Sequence, residues 1–301
     1  MKKIQNHPIF LIVALLILGL SCKNNDTINE SKVADSIANY RTLSQEFKDY
    51  WYSGEAEITS YKLQQARYGE IREGHAVLIF VTEDFLPEEQ VKADTQSPEN
   101  ISVLKLNTTK TFNTGIYPYS IMQSTFYPVS TEDHAIKLSS SVQEWCGQIY
   151  VQLNNRTKFE INSHSYFQGE ADQNSQLEKA LLENELWTQL RINPKQLPTG
   201  DLQIIPSFEF ISLKHVELRP YQASAALTAT SYTIEYPELD RTLIINFNEE
   251  FPFEILSWSE SFKSGPERLT TKATKLETIK SSYWSKNSNN DAVLRDSLKL
   301  K

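Results

Sequence analysis

The chain has 301 residues, 40% of them apolar and 11% aromatic. That is enough to bury a sizeable core and too aromatic for a disordered chain. The formal net charge of −8 repels phosphate backbones and argues against nucleic acid as a partner. Gly is only 9 of 301, which leaves little material for glycine-built phosphate cradles.

The first segment is an address. Lys2 and Lys3 precede an unbroken apolar run from Ile9 to Leu18, followed by Gly19, Leu20, Ser21 and Cys22. Ten apolar residues make a helix of only about 15 Å, too short for a hydrocarbon core of about 30 Å. Residues 1–21 therefore read as a cleavable export signal. Cys22, directly behind a small residue, resembles the lipobox cysteine of bacterial lipoproteins, which is acylated and becomes the new N-terminus. Gly19 stands where that box usually has Leu, Val or Ile. Lipidation at Cys22 implies anchoring in a membrane, and Lys23, where inner-membrane retention favours Asp, points to the outer one. The signal carries two lysines and no acid, so its removal takes the net charge from −8 to −10. With Cys22 lipidated, Cys146 has no partner for a disulfide and reads as a small buried hydrophobe.

Residues 22–31 are polar and are expected to form a flexible tether, with a single β-rich domain over 32–301. Val33, Ile37, Tyr40, Phe47 and Trp51 recur at helical spacing and predict an amphipathic helix over about 32–51. Past Gly54 the pattern turns to strands: Ala76–Val81, Ser102–Leu106, the segment carrying Ile136, Leu138 and Val142, and then Ile149, Val151 and Leu153 in strict alternation. Phe159, Ile161 and Phe167 are expected on one strand face, opposite Glu160, Asn162, His164 and Tyr166. Ser175-Gln-Leu-Glu178 has the form of a capping box and predicts a long helix through Leu190, ended by Pro194, with Arg191 suiting its C-terminal dipole. Further strands are expected at Leu202–Leu213, Tyr232–Tyr236, Thr242–Phe247 and Phe253–Phe262, then a polar tail with a short helix near Asp291–Leu298. The class expected is mainly β: a large curved antiparallel sheet, as a meander, half-barrel or sandwich, packed with one central helix plus the N-terminal one.

Motifs for known chemistry are scarce. Gly69-Glu-Ile-Arg-Glu-Gly74 has phosphate-loop spacing, but His75-Ala76 replaces its Lys and Ser/Thr. Ser102-Val-Leu-Lys105 matches an SxxK only on paper, because that motif needs a helix and this stretch reads as strand. His75, His134 and His215 are isolated. Two stretches remain as candidate ligand-binding sites. One is Glu144-Trp145, whose aromatic ring and carboxylate suit sugar or peptide recognition. The other joins His164 and Tyr166 to Glu170 and Asp172. Glu170, Asp172 and Asn174 space oxygen donors as calcium ligands do, but the full calcium loop is absent, and acids ahead of a helix equally serve its dipole. No metal, cofactor or catalytic residue is assigned.

The strings GEAEITSYKLQQARYGEIREG (54–74), TFNTGIYPYSIMQSTFYP (111–128), SSSVQEWCGQIYVQLNNR (139–156), SHSYFQGEADQN (163–174) and IKSSYWSKNSNNDAVLRDSL (279–298) resemble a family of Gram-negative lipoproteins of unknown function. Its members often bear the label septum formation inhibitor Maf. The Maf enzymes themselves hydrolyse nucleoside triphosphates through an SPRR-type motif, which does not occur here. The resemblance implies a lipid-anchored envelope protein and supplies no catalytic residues. The expected function is binding of an envelope ligand (lipid, glycan or peptide) or of a partner protein. The alternative is an exported hydrolase with a polar pocket near His164 and Glu170.

Overall fold

The computed structural model describes residues 40–264 and 267–300, all of which fall in one compact unit. The expected export signal (1–21), Cys22, the expected tether (22–31), and the Val33–Ile37 part of the expected N-terminal helix lie outside the described residues. The remainder of that helix is shorter than its periodicity implied. Tyr40 forms an isolated bridge to Thr131, and α1 covers only Gln45–Trp51, with Ser44 as its N-cap and Phe47 and Trp51 buried.

Nine strands follow: β1 (Ala56–Arg67), β2 (Glu70–Leu86), β3 (Val91–Lys92), β4 (Ile101–Thr114), β5 (Tyr117–Pro128), β6 (Lys137–Glu144), β7 (Gly147–Asn155), β8 (Phe159–Ser165) and β9 (Gln173–Leu177). The short β10 (Leu181–Leu182) leads into α2 (Glu183–Ile192). Then come β11 (Gly200–Ile205), α3 (Phe208–Lys214), β12 (Tyr221–Leu227), β13 (Ser231–Tyr236), β14 (Arg241–Phe247), β15 (Ile255–Ser264), β16 (Glu267–Ser281) and α4 (Val293–Ser297). All sixteen strands belong to one open, curved sheet. Its order runs β10-β11-β12-β13-β14-β15-β16-β1-β2-β4-β5-β6-β7-β8-β9, with β3 on the side of β2. Every pairing is antiparallel except β10 with β11. The chain thus enters at the middle of the sheet, and β16 returns to pair with β1. The two edges, β9 and β10, are only three residues apart in sequence.

The mainly-β class with few helices is what the alternation implied. Ile149, Val151 and Leu153 all point to the buried face, as do Phe159 and Ile161. Two local expectations fail. Ser175 does not cap a helix: it pairs with Ile161 in the β8–β9 ladder, and α2 starts eight residues later. A strand partner satisfies the backbone groups that a cap would have served. Glu185 then reaches back to the Leu182 N–H (3.1 Å), supplying one half of a capping box at the true start. The strand expected over Leu202–Leu213 stops at Ile205, because Pro206 cannot donate to a ladder and Ser207 caps α3 by accepting from the Phe210 N–H. There are thus two inner helices where one was expected.

Both pack on the concave face. Leu186 and Leu190 of α2 and Phe208 and Ile211 of α3 join one core with the inward residues of nearly every strand. The C-terminal tail lies against other residues: Leu298 packs with Ala56, Ile58 and Val81 in a separate small cluster.

Candidate functional site

Inside the sheet, three acid–base pairs pin the helices in place. Arg191 of α2 makes a bidentate pair with Glu57 of β1 (2.6 and 2.7 Å), and the Tyr50 hydroxyl donates to the same carboxylate (2.5 Å). Burial resists ionisation of Glu57, but the guanidinium outweighs it and holds the carboxyl below its ordinary range. Arg241 of β14 clasps Glu183 of α2 and also donates to Glu260 (2.6 Å). Glu183 is likewise held low, against its burial, by Arg241. Lys110 of β4 meets Glu209 of α3 at 2.7 Å, where burial prevails and raises the carboxyl above its usual range. Between the second and third of these pairs is a cavity of about 40 Å³, lined by Lys110, Gln123, Glu183, Glu209, Arg241 and Trp258. It has room for a few waters.

The accessible chemistry gathers at one end of the sheet. Antiparallel strands alternate direction, so the turns β1–β2, β4–β5, β6–β7 and β8–β9 all fall at the same end, which we call the mouth. Each carries an exposed apolar or aromatic side chain: Tyr68, Ile116, Trp145 (68% exposed) and Tyr166 (66%). The rings are linked. Phe112 stacks on Tyr119 (4.9 Å, 6°), Tyr119 meets Tyr117 (6.0 Å), and Tyr117 meets Trp145 (6.5 Å, 33°). On the next tip, Tyr166 packs edge-on to Phe167, and Phe167 to His215 at the end of α3 (4.7 Å). Arg67 lies over Tyr68 (4.2 Å) and donates to the Leu213 carbonyl (2.6 Å), tying α3 to this rim.

The candidates from sequence divide between this rim and its flank. Trp145 and Tyr166 stand together on adjacent tips, and Tyr166 lies against Gly147, where an added Cβ would come within 2.4 Å of the ring. The Glu144 carboxylate is occupied by the Cys146 N–H (2.7 Å). Glu170 receives the Ser165 hydroxyl (2.6 Å) and pairs with His215 (2.5 Å), while Asp172 pairs with His164 (3.2 Å). Asn174 faces Asn162 across the β8–β9 ladder. The alternating oxygen donors therefore diverge, and the segment behind them is a strand, so neither the calcium loop nor the helix-dipole account describes it. Among the described residues no three His, Cys, Asp or Glu side chains come together as a metal centre. Phe167 sits in the loop after β8, half-exposed, not on the strand face with Ile161. Cys146 is exposed, not buried, and its hydrogen bond with Glu144 pushes the thiol pKa up, away from a reactive thiolate.

Of the other motifs, His134 pairs with the buried Glu185 (2.9 Å). Ser102 and Lys105 both lie on β4 and bond to different partners, Tyr52 (2.9 Å) and Glu83 (2.7 Å). Arg191, assigned from sequence to the helix dipole, is instead a buried anchor. Tyr68, Ile116 and Tyr117 escaped sequence reading, although a signal existed: at each mouth turn an aromatic lies within three residues of a glycine (Gly69, Gly115, Gly147, Gly169). At the opposite end, a cleft of about 930 Å³ borders Tyr40, the first described residue, with Arg41, Glu132, Phe251 and Phe253 on its walls.

No family model matches the chain, and no curated protein matches it. Among solved structures, the chain is similar to the crystal structure of a beta-barrel-like protein of domain of unknown function DUF1849 from Brucella abortus. The two share 7% identity with a TM-score of 0.46, over 76% of this chain and 98% of that one.

Proposed function

We propose that this chain is a lipid-anchored protein of the cell envelope that binds an envelope ligand or partner at the mouth of its sheet and does not catalyse. The observation that carries this reading is the division of labour between interior and rim. Among the described residues the concave face holds two helices and three buried acid–base pairs, and the cavity beside them is only about 40 Å³. Exposed rings instead converge on the turns at one end, where Trp and Tyr suit recognition. Binding is preferred to the alternative of an exported hydrolase with a polar pocket near His164 and Glu170 because those two side chains are engaged in separate surface pairs.

Anchoring rests on the sequence at Cys22, with the outer membrane as the favoured site. Among the described residues no helix is long and apolar enough to cross a membrane. Each buried methylene contributes about 0.8 kcal/mol, so two or three acyl chains hold a soluble body firmly. Cys22→Ser is expected to release the protein from the membrane fraction or leave its signal uncleaved. Unchanged processing and fractionation of that variant would remove the lipoprotein reading.

A further inference from the structure

We propose that the mouth seats a neutral glycan strand whose sugar rings stack on Trp145 and Tyr166; this rests on the envelope-ligand reading above and names its ligand. A sugar ring has an apolar C–H face and a belt of hydroxyls. The first matches an exposed Trp or Tyr face, and the second matches groups that both donate and accept. Both rings have neighbours at the rim. Tyr166 lies against Gly147 with Phe167 edge-on to it (5.7 Å), and Trp145 neighbours Tyr117 (6.5 Å). Stacking on such rings costs little side-chain entropy. Beside them the amides of Gln143 and Gln148 are exposed, facing one another across the β6–β7 turn.

The charges at the rim do not call for an ionic ligand. Glu144 is bonded to the Cys146 N–H, Glu170 to Ser165 and His215, and Asp172 to His164. Arg67 is committed to the Leu213 carbonyl and the Tyr119 hydroxyl. A lipid surface is disfavoured by geometry. Tyr40 and α1 lie at the end opposite the mouth, and a twelve-residue strand such as β1 or β5 separates the two by about 40 Å. The lipid anchor proposed at Cys22 joins the described body through Tyr40, at the end away from the mouth.

The test titrates the full chain, purified in detergent, with the hexamer of β-1,4-linked N-acetylglucosamine and with cellohexaose, by calorimetry and tryptophan fluorescence. One or both should bind with a dissociation constant between about 10 μM and 1 mM. Trp145→Ala and Tyr166→Ala should each weaken binding at least about tenfold with the melting temperature unmoved, since both side chains are exposed. Raising NaCl to about 0.5 M should change affinity less than about twofold, because no charge pair is involved. The proposal is overturned if neither hexasaccharide binds at about 10 mM, or if the double variant binds them undiminished. Envelope fragments held by the wild type and lost by the double variant, with no hexasaccharide bound, would reject the glycan and leave the envelope-ligand reading standing. Fragments not held even by the wild type would reject both.

Discussion

Arg191 and Glu57 are each only 1% exposed, and neither could be buried alone. An isolated buried ion would cost several kcal/mol of desolvation, so the pair matters mainly through what its breaking leaves behind. Arg191→Met strands the Glu57 carboxylate and is expected to cost about 3–5 kcal/mol in urea unfolding. Adding Glu57→Leu should recover most of that loss, as replacement of a whole buried pair by apolar groups often does. A double variant as unstable as the single one would refute this account. The pH dependence follows the same pair. Because the folded Glu57 pKa lies below its ordinary value of 4.5, the pair stabilises above that value. Its contribution is lost as pH falls through the folded value. Between pH 5 and pH 3 the urea midpoint of the wild type should therefore fall more steeply than that of Glu57→Gln.

At the scale of the strand, two glycines separate backbone tolerance from side-chain tolerance. Gly74 on β2 faces Phe112 on β4, and a Cβ there would sit 2.2 Å from the Thr111 carbonyl oxygen and 2.8 Å from the Phe112 Cβ. Those atoms belong to a neighbouring strand and cannot yield without opening the ladder. Gly74→Ala is expected to cost about 1–3 kcal/mol, in line with overpacking elsewhere. At Gly147 the obstacle is the Tyr166 ring, a side chain free to rotate into solvent. Gly147→Ala should cost less than about 1 kcal/mol in stability while unseating the ring. Urea midpoints for the two variants decide the matter, and the reverse order would show that the β2–β4 contact is slack.

The whole molecule is a meander read from an unusual starting point. Its spatial order begins at β10 and ends at β9, yet the first strand in sequence, β1, lies in the middle, so the β1–β16 pairing links Ala56 to Ser281. Such distant pairing demands closure of a long loop before it returns any contact energy. A circular permutant opened between Lys179 and Ala180, with Leu300 joined to Tyr40 by about 15 Gly/Ser residues reaching about 20 Å, makes β16 and β1 sequential like the other strand pairs, with only the short β3 interposed between β2 and β4. The prediction is that this permutant folds and that stopped-flow refolding is faster than for the parent body. A permutant that is insoluble, or that refolds more slowly, would show that β1–β16 pairing is not the slow step.

Local periodicity determined the mainly-β class. Ile149, Val151 and Leu153 face inward because neighbouring strand residues point to opposite sides, which any six-residue window reveals. The same locality explains Trp145 and Tyr166, since a ring beside a turn glycine stands at a tip wherever the strands go. What tertiary structure alone decided is everything that needs a partner from elsewhere in the chain. Ser175-Gln-Leu-Glu178 has the form of a helix start, but β8 was available to pair with it, and a ladder outweighs one cap. Glu267–Ser281 looks like a polar tail, with only Thr271, Ala273 and Ser281 buried, and becomes a strand because β1 and β15 flank it on both sides. Glu57, Glu183 and Glu209 carry no local mark of burial. A carboxylate leaves water only when its counter-charge arrives, and here those counter-charges lie 134, 58 and 99 residues away.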